Sequence, residues 1–214
     1  MTINRPGLPG DLPSAQTLWA RWALIAVLEA TAEDEEAGHH RTGTWVDDRG
    51  LHLDDSGRTW WGFARRGEGR YVLFGEDESS DCTWHEPPVD MLAGAPAWLP
   101  HKKLQDLLNG GDLGCVYWFE DGAWARAPYP GTLDDDGLDC GMSRFADRDE
   151  VLRTVGDADH AATSAHDAEA LLTHAENHRL TPELLLSLTT DPDGRKRDQA
   201  AMTRALERAG LNRP

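Results

Sequence analysis

Every aromatic side chain of this chain lies between Trp19 and Phe145, and none follows. Nine Trp, three Tyr and four Phe fall in that window, where Gly-containing turns and acidic residues interrupt them. The stretch after Phe145 is rich in Ala, Leu and His, so its core must be a small aliphatic one. The segregation predicts two kinds of structure. A Trp-rich α+β domain covers 1–156, and a small helical unit covers 157–214. At 214 residues the chain is long enough to bury a core without disulfide or metal staples.

Charge narrows the partners. The net charge is −17; residues 1–156 carry 14 basic and 28 acidic side chains, and 157–214 carry 7 and 10. Such a surface repels phosphate backbones and anionic lipid heads, which argues against direct nucleic-acid contact or a membrane surface. It favours a basic partner. Cys82, Cys115 and Cys140 are odd in number and widely spaced, with no CxxC pair, which suggests a reducing, cytoplasmic setting. The apolar run Leu18–Leu28 is eleven residues long and contains Arg21, too short to span a bilayer. Glu29 interrupts its use as a leader, so it reads as part of the fold.

Local patterns give the elements. Ser14 starts a helix to about Glu36 that is apolar on nearly all sides and therefore buried. Its end, Glu33-Asp34-Glu35-Glu36, opposes the helix dipole and reads as a solvated end or an acidic contact patch. From Thr44 to Glu86, short alternating runs separated by Asp- and Gly-bearing turns predict an antiparallel meander, with Cys82-Thr83-Trp84 as a further strand. A short helix follows from His101 to Leu108. The turn Glu120-Asp121-Gly122 then sits between two aromatic runs and marks a hairpin. Residues 128–143 read as loop, and a helix starts near Asp147. After residue 156, caps at Ser164 and Thr181-Pro182 and a stop at Gly210 predict three helices: to about His178, after Pro182, and from Arg195 to Ala209.

No motif names a reaction. Asp134-Asp135-Asp136-Gly137 resembles a calcium loop, but its first and twelfth positions are Thr132 and Ser143, which lack the carboxylates an EF-hand needs. His174 and His178 are four apart on one helix and are the candidate metal ligands, although they lack the His-Glu-x-x-His arrangement. Cys82 and His85 would face opposite sides of a strand, which argues against a thiol nucleophile. The strongest signal is aromatic. Trp60 and Trp61 are adjacent, so on a strand one faces inward and one outward, and Tyr117 and Trp118 repeat this. Either a second layer covers the outward set, or exposed aromatics ringed by acids form an interface.

Two stretches carry resemblances. Leu99-Pro100, Leu104 and Leu107-Leu108-Asn109-Gly110-Gly111, followed by an aromatic strand, resemble a segment of SUKH-type immunity proteins. Members of that superfamily are acidic α+β proteins that often neutralise bacterial toxins. Leu180-Thr181-Pro182-Glu183-Leu184, Leu188, Asp191-Pro192-Asp193 and Arg195 are similar to one helical-repeat unit of the HEAT or variant leucine-rich type, which implies a protein-contact surface.

The expected function is an immunity- or inhibitor-like role. A basic protein would dock on Glu76, Asp77 and Glu78 beside Trp60 or Trp61, with Asp134, Asp135 and Asp136 as a second patch. No cofactor is expected and no catalytic residue is assigned. The rivals are an enzyme or small-molecule binder with a pocket lined by Trp45, Trp84 or Trp118, and a metal-dependent protein using His174 and His178.

Overall fold

The computed structural model describes residues 2–32, 41–67, 69–157, 164–189 and 198–212, and statements of absence below refer to these. The Glu33–Glu36 acidic block, Asp191-Pro192-Asp193 and Arg195 lie outside them. The fold is α+β, as expected. Contacts divide the chain into two compact units, Met1–Ala15 with Asp55–Ser143, and Gln16–Asp54 with Arg144–Pro214. The expected boundary at residue 156 follows composition; these units follow contacts, and each is assembled from separate stretches of chain.

The first unit is built on four antiparallel strands: β3 (Trp60–Arg65), β4 (Tyr71–Glu76), β5 (Cys115–Glu120) and β6 (Ala123–Arg126). They pair in sequence order as a meander. Asp121 (φ 54°) and Gly122 (φ 82°) take the left-handed geometry of a tight hairpin turn, as the Asp-Gly pair predicts.

Both faces of this sheet are covered. On one face Val72, Phe74, Val116 and Trp118 pack with Val89, Met91 and Leu99, and with Leu104 of α2 (His101–Gly110). On the other lie Trp61, Phe63, Tyr117, Phe119 and Trp124, with Phe63 and Phe119 at 5.9 and 5.3 Å from the Trp124 ring. Trp124 Nε1 donates to the Pro13 carbonyl at 2.7 Å, so the N-terminal lead-in is part of this cover.

A second part of the cover is α3 (Leu138–Ala146), in a stretch expected to be loop. Leu138 and Met142 are fully buried, a helical spacing hidden among glycines and acids. Gly141 is the reason α3 approaches so closely: a Cβ there would sit 2.0 Å from Trp61 Nε1.

The second unit contains α1 (Ala15–Leu28), the hairpin β1 (Gly43–Asp47) and β2 (Gly50–Asp54), and the C-terminal helices. These are α4 (Arg148–Val155), α5 (Ala165–Glu176), α6 (Pro182–Leu188) and α7 (Gln199–Ala209). As expected, α1 is buried all round, from Leu18 through Val27. Its regular geometry ends at Leu28 rather than near Glu36, and the Glu29 carboxylate that follows accepts the Thr44 amide at 2.8 Å.

The Trp residues of α1 anchor it. Trp19 Nε1 donates to the Ala209 carbonyl, Trp22 Nε1 to the His52 carbonyl, and Trp22 stacks on Phe145 at 4.5 Å. Asp147, Ser164, Thr181 and Asp198 each cap the following helix by accepting its backbone amides, and Gly210 (φ 66°) closes α7. No described helix is long and apolar enough to cross a membrane.

The Gly141 contact is directly testable. Gly141→Ala forces the α3 backbone away from Trp61 and is expected to cost about 1–3 kcal/mol. The denaturant midpoint should fall at unchanged slope; an unshifted midpoint would show that α3 and Trp61 are not in close contact.

Candidate functional site

Two acidic loops that are far apart in sequence meet in the first unit. One starts at Glu76, the end of β4, and carries Asp77, Glu78 and Asp81. The other, residues 132–137, leads into α3 and carries Asp134, Asp135 and Asp136. The Asp81 amide donates to the Asp135 carbonyl at 3.0 Å. Gly137, at φ +75°, lies so close that a Cβ would sit 2.7 Å from the Asp77 Cβ. The two expected patches are therefore one junction.

Most carboxylates at this junction are used internally. Asp136 is 1% exposed and accepts from the Gly7 amide at 2.9 Å, the Leu138 amide at 3.3 Å and the Tyr117 hydroxyl at 2.8 Å. That hydroxyl also lies 2.7 Å from the Gly7 carbonyl, which accepts from Arg126 Nε at 2.9 Å. Burial, followed by the Asp136 charge, holds the Tyr117 phenol far above its ordinary pKa.

Asp77 accepts from Thr59 Oγ1, Ser79 Oγ and the Ser79 amide. Asp135 accepts the Gly137 amide at 2.7 Å and faces Arg5 at 3.7 Å, while Arg5 Nε donates to Asp139 at 2.6 Å. Desolvation raises the Asp135 pKa, with the Gly137 amide acting against it.

The expected contact residues thus separate into two groups. Trp61, Asp77, Asp135 and Asp136 are buried, Trp61 being the inward member of the Trp60-Trp61 pair. Their inward position follows from the side-chain alternation of β3 and from the donors that the junction supplies. Trp60 and Glu76 are half-buried; Trp60 meets Phe74 edge-on at 5.9 Å. Thr83 Oγ1 donates to Glu76 at 3.3 Å, and desolvation raises the Glu76 pKa. Glu78 and Asp134 are exposed.

The residue that sequence reasoning passed over as an anchor is Trp84. It is 74% exposed, while Trp61, Trp118 and Trp124 are buried. Cys82–Trp84 is a single 3-10 turn rather than the expected strand. Ser80 Oγ caps the Cys82 amide, and the Trp84 amide donates to the Asp81 carbonyl at 3.1 Å. Cys82 then points into the core and Trp84 points out.

His85 fixes the next residue, with Nδ1 2.7 Å from the Pro87 carbonyl and Nε2 2.9 Å from Thr132 Oγ1 of the other acidic loop. Asp81 and Glu86, both exposed, flank the indole in sequence. An isolated Trp among acids and prolines, outside any periodic run, was the available signal.

Beside this turn lies a groove of about 440 Å³, lined among others by Thr83, Val89, Asp90, Gln105, Asn109 and Leu113. A wider, shallower depression of about 740 Å³ is lined by Pro100, His101, Lys102, Lys103, Asp106 and Leu107. Neither is lined by Trp. Trp118 belongs to the core, and Trp45 stacks on His52 at 5.1 Å.

The reactive-group candidates are equally placed. Burial pushes the Cys82 thiol up to about 12 and raises Cys115 well above its ordinary value. His85 is held by Pro87 and Thr132. α5 ends at Glu176, so His178 is not on the helix with His174 as expected; it sits at φ 53° with Nδ1 3.2 Å from the Gly210 carbonyl. Among the described residues, no group of three or more His, Cys, Asp and Glu is arranged to hold a metal ion.

Thiol chemistry tests these placements. Of the three free cysteines only Cys140 is exposed, so one thiol should react with an aromatic disulfide reagent in the native protein and three in denaturant. Reaction of two or three native thiols would contradict the burial of Cys82 and Cys115. Caesium should quench native tryptophan fluorescence more than iodide does, and Trp84→Phe should remove most of that difference. Equal quenching by the two ions would contradict an exposed indole in an acidic stretch of chain. In comparison with known proteins, the chain matches no protein-family model, no curated protein and no solved structure.

Proposed function

We propose that this chain is an acidic protein-interaction protein of the immunity or inhibitor kind. It docks a basic partner on the surface that exposes Trp84, with Asp81 and Glu86 flanking it in sequence and Glu78 and Asp134 exposed on the two joined acidic loops. The observation that carries this reading is the 74% exposure of Trp84 on a turn fixed at both ends. A large indole held in water is costly to keep and contributes most when a partner desolvates it.

Charge supports the same role. A net charge of −17 speeds encounter with a cation-bearing protein, and the aromatic anchor then slows dissociation. The Leu99–Gly111 stretch that resembles SUKH-type proteins forms α2 and one wall of the adjacent groove, which is in keeping with an immunity role. Three free cysteines fit a reducing, cytoplasmic encounter.

The test is capture from the native host's lysate at low and high salt, comparing the wild type with Trp84→Ala and with Asp81→Lys/Glu86→Lys. Asp77 is left unchanged because it is buried and accepts from Thr59 and Ser79. The wild type should retain a basic protein at low salt and lose much of it at high salt. Trp84→Ala should weaken retention by about 2 kcal/mol or more, and the charge reversal should abolish it at low salt. Equal retention of that protein by all three would overturn the reading.

A further inference from the structure

The groove beside Trp84 indicates which side chain such a partner presents. Its inner wall is apolar, with Val89 and Leu113 buried and Leu108 half-buried. Its rim is polar, with Asp90, Gln105 and Asn109 all exposed. A volume of about 440 Å³ suits one or two long side chains rather than a folded element.

Further negative charge stands behind the rim. Thr83, which lines the groove, donates to Glu76. Desolvation raises the Glu76 pKa against the Thr83 hydrogen bond, and the nearby Asp112 charge adds to the rise while Arg58 opposes it. Gly110 carries Asp112 close against α2, where a Cβ would lie 2.7 Å from Asp112 Oδ2.

Resting on the docking reading above, we propose that this groove takes an arginine side chain of the partner. Its methylene stem lies on Val89, Leu108 and Leu113, and its guanidinium meets Asp90 and the amide oxygens of Gln105 and Asn109. Trp84 covers the neighbouring part of the same segment.

Arginine fits better than lysine for two reasons. Its guanidinium is less strongly hydrated than an ammonium, and its five donors in a planar fork match one carboxylate plus amide acceptors. Its stem also tolerates burial while the charged end stays at a polar rim. A neutral ligand would make no use of the Asp90 carboxylate at the rim.

The experiment is an NMR titration of the full-length, isotope-labelled chain at low salt with tetra-arginine, tetra-lysine and tetra-citrulline peptides. Tetra-arginine should shift the Trp84 indole and the Gln105 and Asn109 side-chain amides, and bind at least about threefold more tightly than tetra-lysine. Tetra-citrulline, of similar shape without charge, should shift none of them.

Asp90→Asn keeps an acceptor for the Leu92 amide, which Asp90 binds at 3.1 Å. It should weaken tetra-arginine about threefold or more with the other indole signals unmoved. Gln105→Trp should block the groove and remove the Asn109 shift.

Equal binding of the two cationic peptides, with shifts confined to Glu78 and Asp134, would overturn the groove assignment and leave acidic docking standing. No shift with either cationic peptide would overturn both. Self-association that shields the same signals before any peptide is added would assign the groove to a second copy of this chain and overturn the arginine proposal.

Discussion

A carboxylate taken out of water has to be met by donors, and Asp136, at 1% exposure, depends on three of them. Each donor comes from a different part of the first unit: Gly7 from the N-terminal segment, Tyr117 from β5, and Leu138 from the start of α3. Removing one such donor costs about 1–3 kcal/mol, more where the group left short is charged. Asp136 therefore does more than add charge. It fixes the loop that carries Asp134 and Asp135, and through the Asp81–Asp135 backbone bond it fixes the loop after β4 as well.

That arrangement explains how an acidic chain can keep an exposed indole in one place. The buried acids act inward as ties, and the exposed ones, Glu78, Asp81, Glu86 and Asp134, remain outward. His85 joins the turn of Trp84 to Thr132 on the second loop. A surface anchored in this way loses little conformational entropy when a partner covers it. The adjoining groove gives the same surface a shaped recess whose rim bears Asp90.

Much of the secondary structure was legible because it rests on local chemistry. The Asp121-Gly122 turn, the caps at Ser164 and Thr181, and the burial of α1 all follow from residue type and spacing. Features set by distant contacts were not. The sequence places Asp77 and Asp136 in acidic runs, and nothing local says that Thr59, Gly7 and Tyr117 consume them.

Cys82-Thr83-Trp84 has strand composition, yet its capping by Ser80 and its tie to Asp81 make it a 3-10 turn. The turn, in place of strand alternation, leaves Trp84 outside. α3 was hidden because Gly141, a poor helix former, is required there by the Trp61 ring. His178 left the helix because the chain turns back at φ 53°, a change that no four-residue spacing reveals.

The central claim is that Trp84 and the acids around it are the contact surface. Hydroxyl-radical footprinting of the free chain and of its complex with a captured partner tests this most directly. The account predicts that Trp84 labels strongly in the free chain and is protected in the complex, along with residues 78–90. Equal labelling of Trp84 in both states, with protection elsewhere, would contradict it.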